Sequence, residues 1–188
     1  ASPILANIGG KLQLVMSANP IVAGHDLESG NQLWSVDCMM GEVGPSPAFY
    51  DGMVIAANEY AKLVAINPGA QSIKWETMDY MPEVASPVVA NGVLFIATSY
   101  GVLAGFDAQT GELLWEQDYD NGFYSSPVAV GNRVYMFDMG GNCQIVQASK
   151  TFEQVATHAM GEKVFGTPAF SNGRIYVRGE KHLFCIGK

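Results

Sequence analysis

Gly105-Phe106-Asp107-Ala108-Gln109-Thr110-Gly111-Glu112-Leu113-Leu114-Trp115 is the stretch whose reading decides the fold, because the chain contains it more than once. Gly24-His25-Asp26-Leu27-Glu28-Ser29-Gly30-Asn31-Gln32-Leu33-Trp34 matches it with glycine, aspartate, glycine and tryptophan at the same places, and Ala65-Ile66-Asn67 with Trp75 is a worn copy. All three tryptophans lie in this motif. A repeat of about forty residues therefore has to be recognised before any site is sought.

A second marker gives the same period. Ser2-Pro3, Ser46-Pro47, Ser86-Pro87, Ser126-Pro127 and Thr167-Pro168 recur at steps of 44, 40, 40 and 41 residues, and the last four lead to Gly52, Gly92, Gly131 and Gly173. Proline to tryptophan is 28 residues in the second and third units, and the same offset in the fourth falls on Val155. The units run approximately over 2–44, 45–84, 85–124, 125–165 and 166–188.

Within a unit the apolar pattern is that of strands. Val88-Val89-Ala90, Asn91-Gly92 and Val93-Leu94-Phe95-Ile96-Ala97 read as a hairpin with a two-residue turn. Tyr100-Gly101 makes a second turn, 102–106 a third strand, 108–111 a third turn and 112–117 a fourth strand. No segment carries apolar residues at helical spacing, and 21 glycines with 9 prolines supply the turns. Four antiparallel strands per unit predict an all-β propeller of about nineteen short strands. A blade cannot bury both faces alone, so Trp34, Trp75 and Trp115 are expected at equivalent blade-to-blade contacts, each costing about 3–5 kcal/mol to remove. Asp26, Gly30, Asp107 and Gly111 suit the tight turn before each ring, since aspartate accepts backbone hydrogen bonds and glycine tolerates positive φ.

Gly-x-Asp-x-x-(Thr/Ser)-Gly-x-x-x-Trp preceded by Ser-Pro resembles the repeat of pyrroloquinoline-quinone-type β-propellers. That family includes quinoprotein alcohol dehydrogenases and outer-membrane β-barrel assembly lipoproteins. The resemblance covers the whole chain and implies a propeller, commonly of seven or eight blades, at the periplasm or cell exterior. Ala1 directly precedes the first Ser-Pro, and 167–188 supply three strands of a fifth blade. This reads as the C-terminal part of a larger ring that would pair with upstream blades or self-associate; a closed five-bladed ring is the alternative.

A net charge of −8 with 10 Lys+Arg argues against nucleic acid and anionic membrane, and no apolar run is long enough for a membrane-spanning helix. Cys38, Cys143 and Cys185 read as buried free thiols in strands, with a Cys143–Cys185 disulfide left open by their places on consecutive third strands. His25 reads as a strand residue, His158 as part of a blade connection and His182 as near the last turn; none has a metal-ligand spacing. Asp118-Tyr119-Asp120-Asn121-Gly122 is a poor calcium loop, with glycine one place early and no glutamate at the twelfth position. The resemblance to dehydrogenases implies a quinone stacked on an adjacent-cysteine disulfide, with calcium beside it; the chain has no Cys-Cys pair. Neither catalytic residues nor a metal or quinone cofactor are therefore predicted, and an enzymatic role is the alternative.

The loops that join fourth to next first strands, and second to third strands, open on one face of a propeller. Here they carry Glu42, Glu59, Tyr60, Asp79, Tyr80, Met81, Glu83, Tyr100, Asp118, Tyr119, Asp120, Phe123 and Tyr124. Tyr60 and Tyr100 stand thirteen residues after their blade prolines and should project equivalently. Acidic groups among exposed rings suit a protein segment or a neutral or cationic ligand. The reading is a non-catalytic binding propeller; the alternative is part of a quinone-dependent dehydrogenase.

Overall fold

The computed structural model describes residues 1–187; Lys188, the last residue of the expected fifth unit, lies outside the described residues. Nineteen strands and no helix occur among them. The first unit holds β1 (Ile4–Ile8), β2 (Lys11–Ser17), β3 (Ile21–Asp26) and β4 (Gln32–Asp37), the second β5 (Ala48–Tyr50), β6 (Met53–Ala57), β7 (Leu63–Asn67) and β8 (Ser72–Thr77). The third holds β9 (Val88–Ala90), β10 (Val93–Ala97), β11 (Val102–Asp107) and β12 (Leu113–Asp118). The fourth has β13 (Val128–Val130), β14 (Arg133–Phe137), β15 (Asn142–Gln147) and β16 (Gln154–Ala159), and the fifth β17 (Ala169–Ser171), β18 (Arg174–Arg178) and β19 (Leu183–Gly187). Each unit is one antiparallel sheet with strands in chain order, four-stranded except for the three-stranded fifth. The all-β propeller architecture is thus as expected. The first hairpin of the third blade turns on Asn91 and Gly92 at φ 50° and 77°, the paired positive values a two-residue hairpin needs.

Side-chain alternation then decides what each sheet touches. Along β6, Val54 and Ala56 enter the apolar cluster shared with the first blade, whereas Met53, Ile55 and Ala57 enter the cluster shared with the third. Along β10, Leu94 and Ile96 face the second blade, and Val93, Phe95 and Ala97 the fourth. The core is therefore a series of clusters between successive sheets, the last joining Phe137, Cys143 and Ile145 to Val164 and Val177.

The Ser-Pro repeat has a specific job. The N–H of Ser2 donates to Ser46 Oγ (2.8 Å), Ser46 to Ser86 (2.9 Å), Ser86 to Ser126 (2.9 Å), and Ser126 to Thr167 Oγ1 (3.0 Å). This ladder crosses every blade boundary just before the short first strands, of which β5, β9 and β13 are in contact. A hydroxyl at this place satisfies a backbone donor of the preceding blade.

The tryptophans do not dock alike, which corrects the expectation of three equivalent contacts. Trp75 Nε1 donates to Ala108 O and Trp115 Nε1 to Ser149 O, both at 3.2 Å and both in the third-to-fourth-strand connection of the next blade. Trp34 instead donates to Gln13 Oε1 of its own sheet at 2.8 Å. Pro68 O, at the place of Ala108 in the next unit, accepts from the Gln71 N–H. Trp34 and Trp115 lie flat on Gly24 and Gly105, where a Cβ would collide with the indole; Ala65 takes that place in the second blade, and Trp75 leans over Gly111.

Each four-stranded sheet has a register shift after the residue that faces this ring, so one fourth-strand residue is left over. In the fourth blade Ile145 pairs with Ala156, which makes Ala156, not Val155, the counterpart of tryptophan. The connection is one residue longer there: the Gln147 N–H reaches Glu153 O, whereas the Asp107 N–H reaches Glu112 O. The longer loop brings Phe152 edge-on to Trp115 at 5.3 Å.

In the motif turns, Asp26 Oδ1 accepts from the N–H groups of Glu28 (3.1 Å) and Ser29 (2.9 Å), and Asp107 Oδ1 from Gln109 (3.0 Å) and Thr110 (3.2 Å). Gly30 and Gly111 close these turns at φ 72° and 75°. Asp107 also meets Lys150 of the next blade at 2.7 Å, which holds its carboxyl below the usual range. Asp26 meets Lys11 of its own sheet, so both polar ends of the first motif turn inward on one blade.

Candidate binding face

Antiparallel order places two sets of loops at one end of the sheets: 38–47, 78–87, 119–127 and 160–168 between blades, and 58–62, 98–101, 138–141 and 179–182 within them. Tyr60 and Tyr100 project from equivalent places, 61% and 62% exposed. Tyr60 lies against Gly41 of the preceding loop, where a Cβ would be 3.3 Å from its ring. Partial burial raises the Tyr100 phenol, and the charges of Asp79 and Glu59 add in the same direction. Glu42, Glu59, Asp79, Asp118 and Asp120 are exposed on the same end.

Other members of the expected rim point elsewhere. Phe123 is fully buried, which corrects its assignment to an exposed rim. Half-buried Tyr119 stands edge-on to it at 5.5 Å and donates its hydroxyl to Gln154 Oε1 of the next blade at 2.7 Å. Burial pushes the Tyr119 phenol up to about 12. Tyr80 packs edge-on to Phe106 of the next blade at 6.0 Å, and Tyr124 leans on Phe165 at 6.3 Å. Met81 and Glu83 are half-buried too. These rings close the gaps between blades, and loop direction rather than repeat position separates them from Tyr60 and Tyr100.

Two clefts open among the loops. One of about 200 Å³ is lined by Glu42, Gly44, Glu59, Tyr60, Glu83 and Val84. The other, about 300 Å³, runs from Asp118–Asn121 to Asp138, Asn142, Gln144 and Thr157. Asp138 escaped the sequence reading although a signal existed, since it stands eleven residues after its blade proline, as do Asn58 and Thr98. All three are buried polar residues at the end of a second strand. Thr98 Oγ1 accepts from the Val102 N–H (2.8 Å) and Asp138 Oδ1 from the Asn142 N–H (2.9 Å), so both cap the following turn. Asp138 Oδ2 also accepts from Asn142 Nδ2 at 2.9 Å.

Charge on this end is one-sided from the second to the fourth blade. Between 38 and 141 its loops and loop edges carry Glu42, Glu59, Asp79, Glu83, Asp118, Asp120 and Asp138 against Lys62, which is bonded to Glu76 at 2.9 Å. His158 lies within β16, not in a connection, because that strand extends to Ala159. His182 meets Glu162 at 2.9 Å across the last blade boundary. No group of three or more His, Cys, Asp or Glu among the described residues is arranged to hold a metal.

The cysteines are free. Alternation along β19 turns Phe184 and Ile186 toward the fourth blade, where Ile186 shares a cleft with Cys143, and puts exposed Cys185 on the other face. The Cys143–Cys185 disulfide left open by the sequence is therefore not formed. Burial pushes the Cys143 thiol up to about 12 and the Cys38 thiol up to about 11. No adjacent-cysteine pair exists to stack a quinone, so these residues do not fit that cofactor.

Comparison with known proteins agrees with this architecture. The crystal structure of BamB from Moraxella catarrhalis superposes with a TM-score of 0.79 at 17% identity, over 100% of this chain and 60% of that one. A computationally designed protein, Ika8, superposes with a TM-score of 0.78 at 12% identity, over 94% of this chain and 55% of its own. The outer membrane protein assembly factor BamB of Moranella endobia (strain PCIT) is 32% identical over 105 residues, 50% of this chain and 27% of that protein. Its counterpart in Escherichia coli (strain K12) is 23% identical over 148 residues, 74% of this chain and 37% of that protein. The chain thus matches well under two thirds of these relatives' length. The sequence model of the family described as outer membrane protein assembly factor BamB matches residues 17–186, and the chain belongs to that family.

Proposed function

We propose that this chain is a non-catalytic binding propeller that serves outer-membrane protein assembly from the periplasmic side, meeting protein partners through its loop face. The family match over residues 17–186 carries the reading, and the matched relatives named above are assembly factors. The loop face supports it physically: Glu59, Tyr60, Asp79, Tyr100, Asp118 and Asp120 present contact area and negative charge without a catalytic constellation. Tyr80, Tyr119 and Tyr124 support the face from beneath by bridging blades, Tyr119 through its hydroxyl on Gln154. Asp26, Gly30, Asp107, Gly111 and the three tryptophans serve the scaffold.

Site-specific photo-cross-linking in the bacterial periplasm tests this reading. A photoreactive residue at Tyr60 or Tyr100 is expected to capture a component of outer-membrane protein assembly, and one at Glu112, in a loop of the opposite end, is not. Capture from Glu112 alone, or from none of these positions, would overturn it.

A further inference from the structure

The exposed large apolar side chains include two sets of different origin. Leu5, Leu12 and Met16 of the first blade and Leu183 of the fifth lie on sheets at the ends of the stack, where a neighbouring sheet covers such residues in the inner blades. Met40, Tyr60, Met78 and Tyr100 are 60%, 61%, 76% and 62% exposed, and they sit on loops at the end of the second and third blades. Blade stacking buries sheet faces, so it cannot cover them. Exposed apolar groups gathered on one surface mark an interaction site.

These four residues belong to one surface. Tyr60 rests on Gly41, next to Met40, and the Asn58 side chain before it is hydrogen-bonded to Met40 O. Met78 leads into Asp79, whose charge acts on Tyr100 together with that of Glu59. Gly44 packs so closely on Glu83 that a Cβ would be 2.6 Å from its carbonyl oxygen, which joins the loops on either side of the second blade. Glu42, Glu59 and Glu83 line one cleft with Tyr60, Asp79 follows Met78, and the nearby cation Lys62 is held by Glu76.

We propose that this surface docks a protein segment in which lysine or arginine residues flank apolar side chains. The inference rests on the protein-binding reading and specifies its partner. The two thioethers adapt to varied apolar shapes, the phenol rings give area at small entropic cost, and the carboxylates select cationic flanks and repel acidic ones. Strands β6 and β10 beneath are buried on both faces, so the loops spring from a rigid base and lose little freedom on binding.

Methyl NMR of the whole chain labelled at its methionines tests the proposal, with short synthetic peptides that alternate lysine with leucine, glutamate with leucine, or lysine with serine. The lysine–leucine peptide is expected to shift the Met40 and Met78 methyls and leave buried Met53 and Met136 unmoved. The combined Glu42→Gln, Glu59→Gln and Glu83→Gln variant should weaken it about tenfold, and salt should do likewise. The other two peptides should bind at least about tenfold more weakly. Unmoved Met40 and Met78 methyls, equal binding by the variant, or equal binding of either control peptide would overturn the proposal. Shifts confined to Met16 or Met160 would also overturn it while cross-linking from Tyr60 and Tyr100 keeps the broader reading intact.

Discussion

The second and third blades differ from the first and fifth in a way that the strands themselves record. Every residue of Met53–Ala57 and of Val93–Ala97 is buried, whereas Lys11–Ser17 alternates between buried and exposed positions and Arg174–Arg178 buries only Val177 fully. The antiparallel pairing and the strand order are the same in both kinds of blade. What differs is the number of neighbours. A continuous apolar run in this fold signals a strand covered on both faces, and alternation signals one covered on a single face. The inner blades also carry the loops with Tyr60 and Tyr100, so the most deeply buried strands of the stack support the proposed binding surface.

Core truncation should separate the two kinds of blade most strongly. Phe95→Ala removes a fully buried ring that also stands edge-on to Trp115 at 5.6 Å, and should cost about 3–5 kcal/mol. Leu183→Ala, at a side chain 69% exposed on the edge strand, should change stability by less than about 0.5 kcal/mol. Chemical denaturation of both variants checks the pair, and comparable losses would mean that the fifth blade is as well covered as the third.

The hydroxyl ladder offers a finer comparison. Ser86→Ala leaves the partly buried Ser46 N–H without its acceptor and should cost about 1–2 kcal/mol. Among the described residues no N–H reaches the Ser2 hydroxyl, so Ser2→Ala should stay within about 0.5 kcal/mol. Unfolding midpoints that move equally would show the ladder to be incidental to the stack.

Much of this was legible in the sequence. Asn91-Gly92 between apolar runs specified a hairpin, and the Ser-Pro period located each blade. Equivalence by counting failed where a loop grew by one residue: Val155 holds the tryptophan offset, but the longer connection shifts the register and gives the place to Ala156. The third tryptophan contact failed for a different reason, since Trp34 finds its acceptor in Gln13 of its own sheet, a partner that the motif does not contain. On the loop face, position in the repeat found Tyr60 and Tyr100 because both stand thirteen residues after their blade prolines, just past the end of a second strand. It could not tell them from Tyr119, whose direction is set by the gap that it fills. Asp138 was hidden because a buried acid and an exposed one look alike until the turn that it caps is built.

Native-state hydrogen exchange tests the two-neighbour account most directly, because it reads each sheet in the intact chain. Amides of Met53–Ala57 and Val93–Ala97 are predicted to exchange most slowly, near the rate set by global unfolding, while those of Lys11–Ser17 and Leu183–Gly187 open by local fluctuations and exchange much faster. Uniform protection across all five sheets, or slower exchange in the first and fifth than in the second and third, would contradict it.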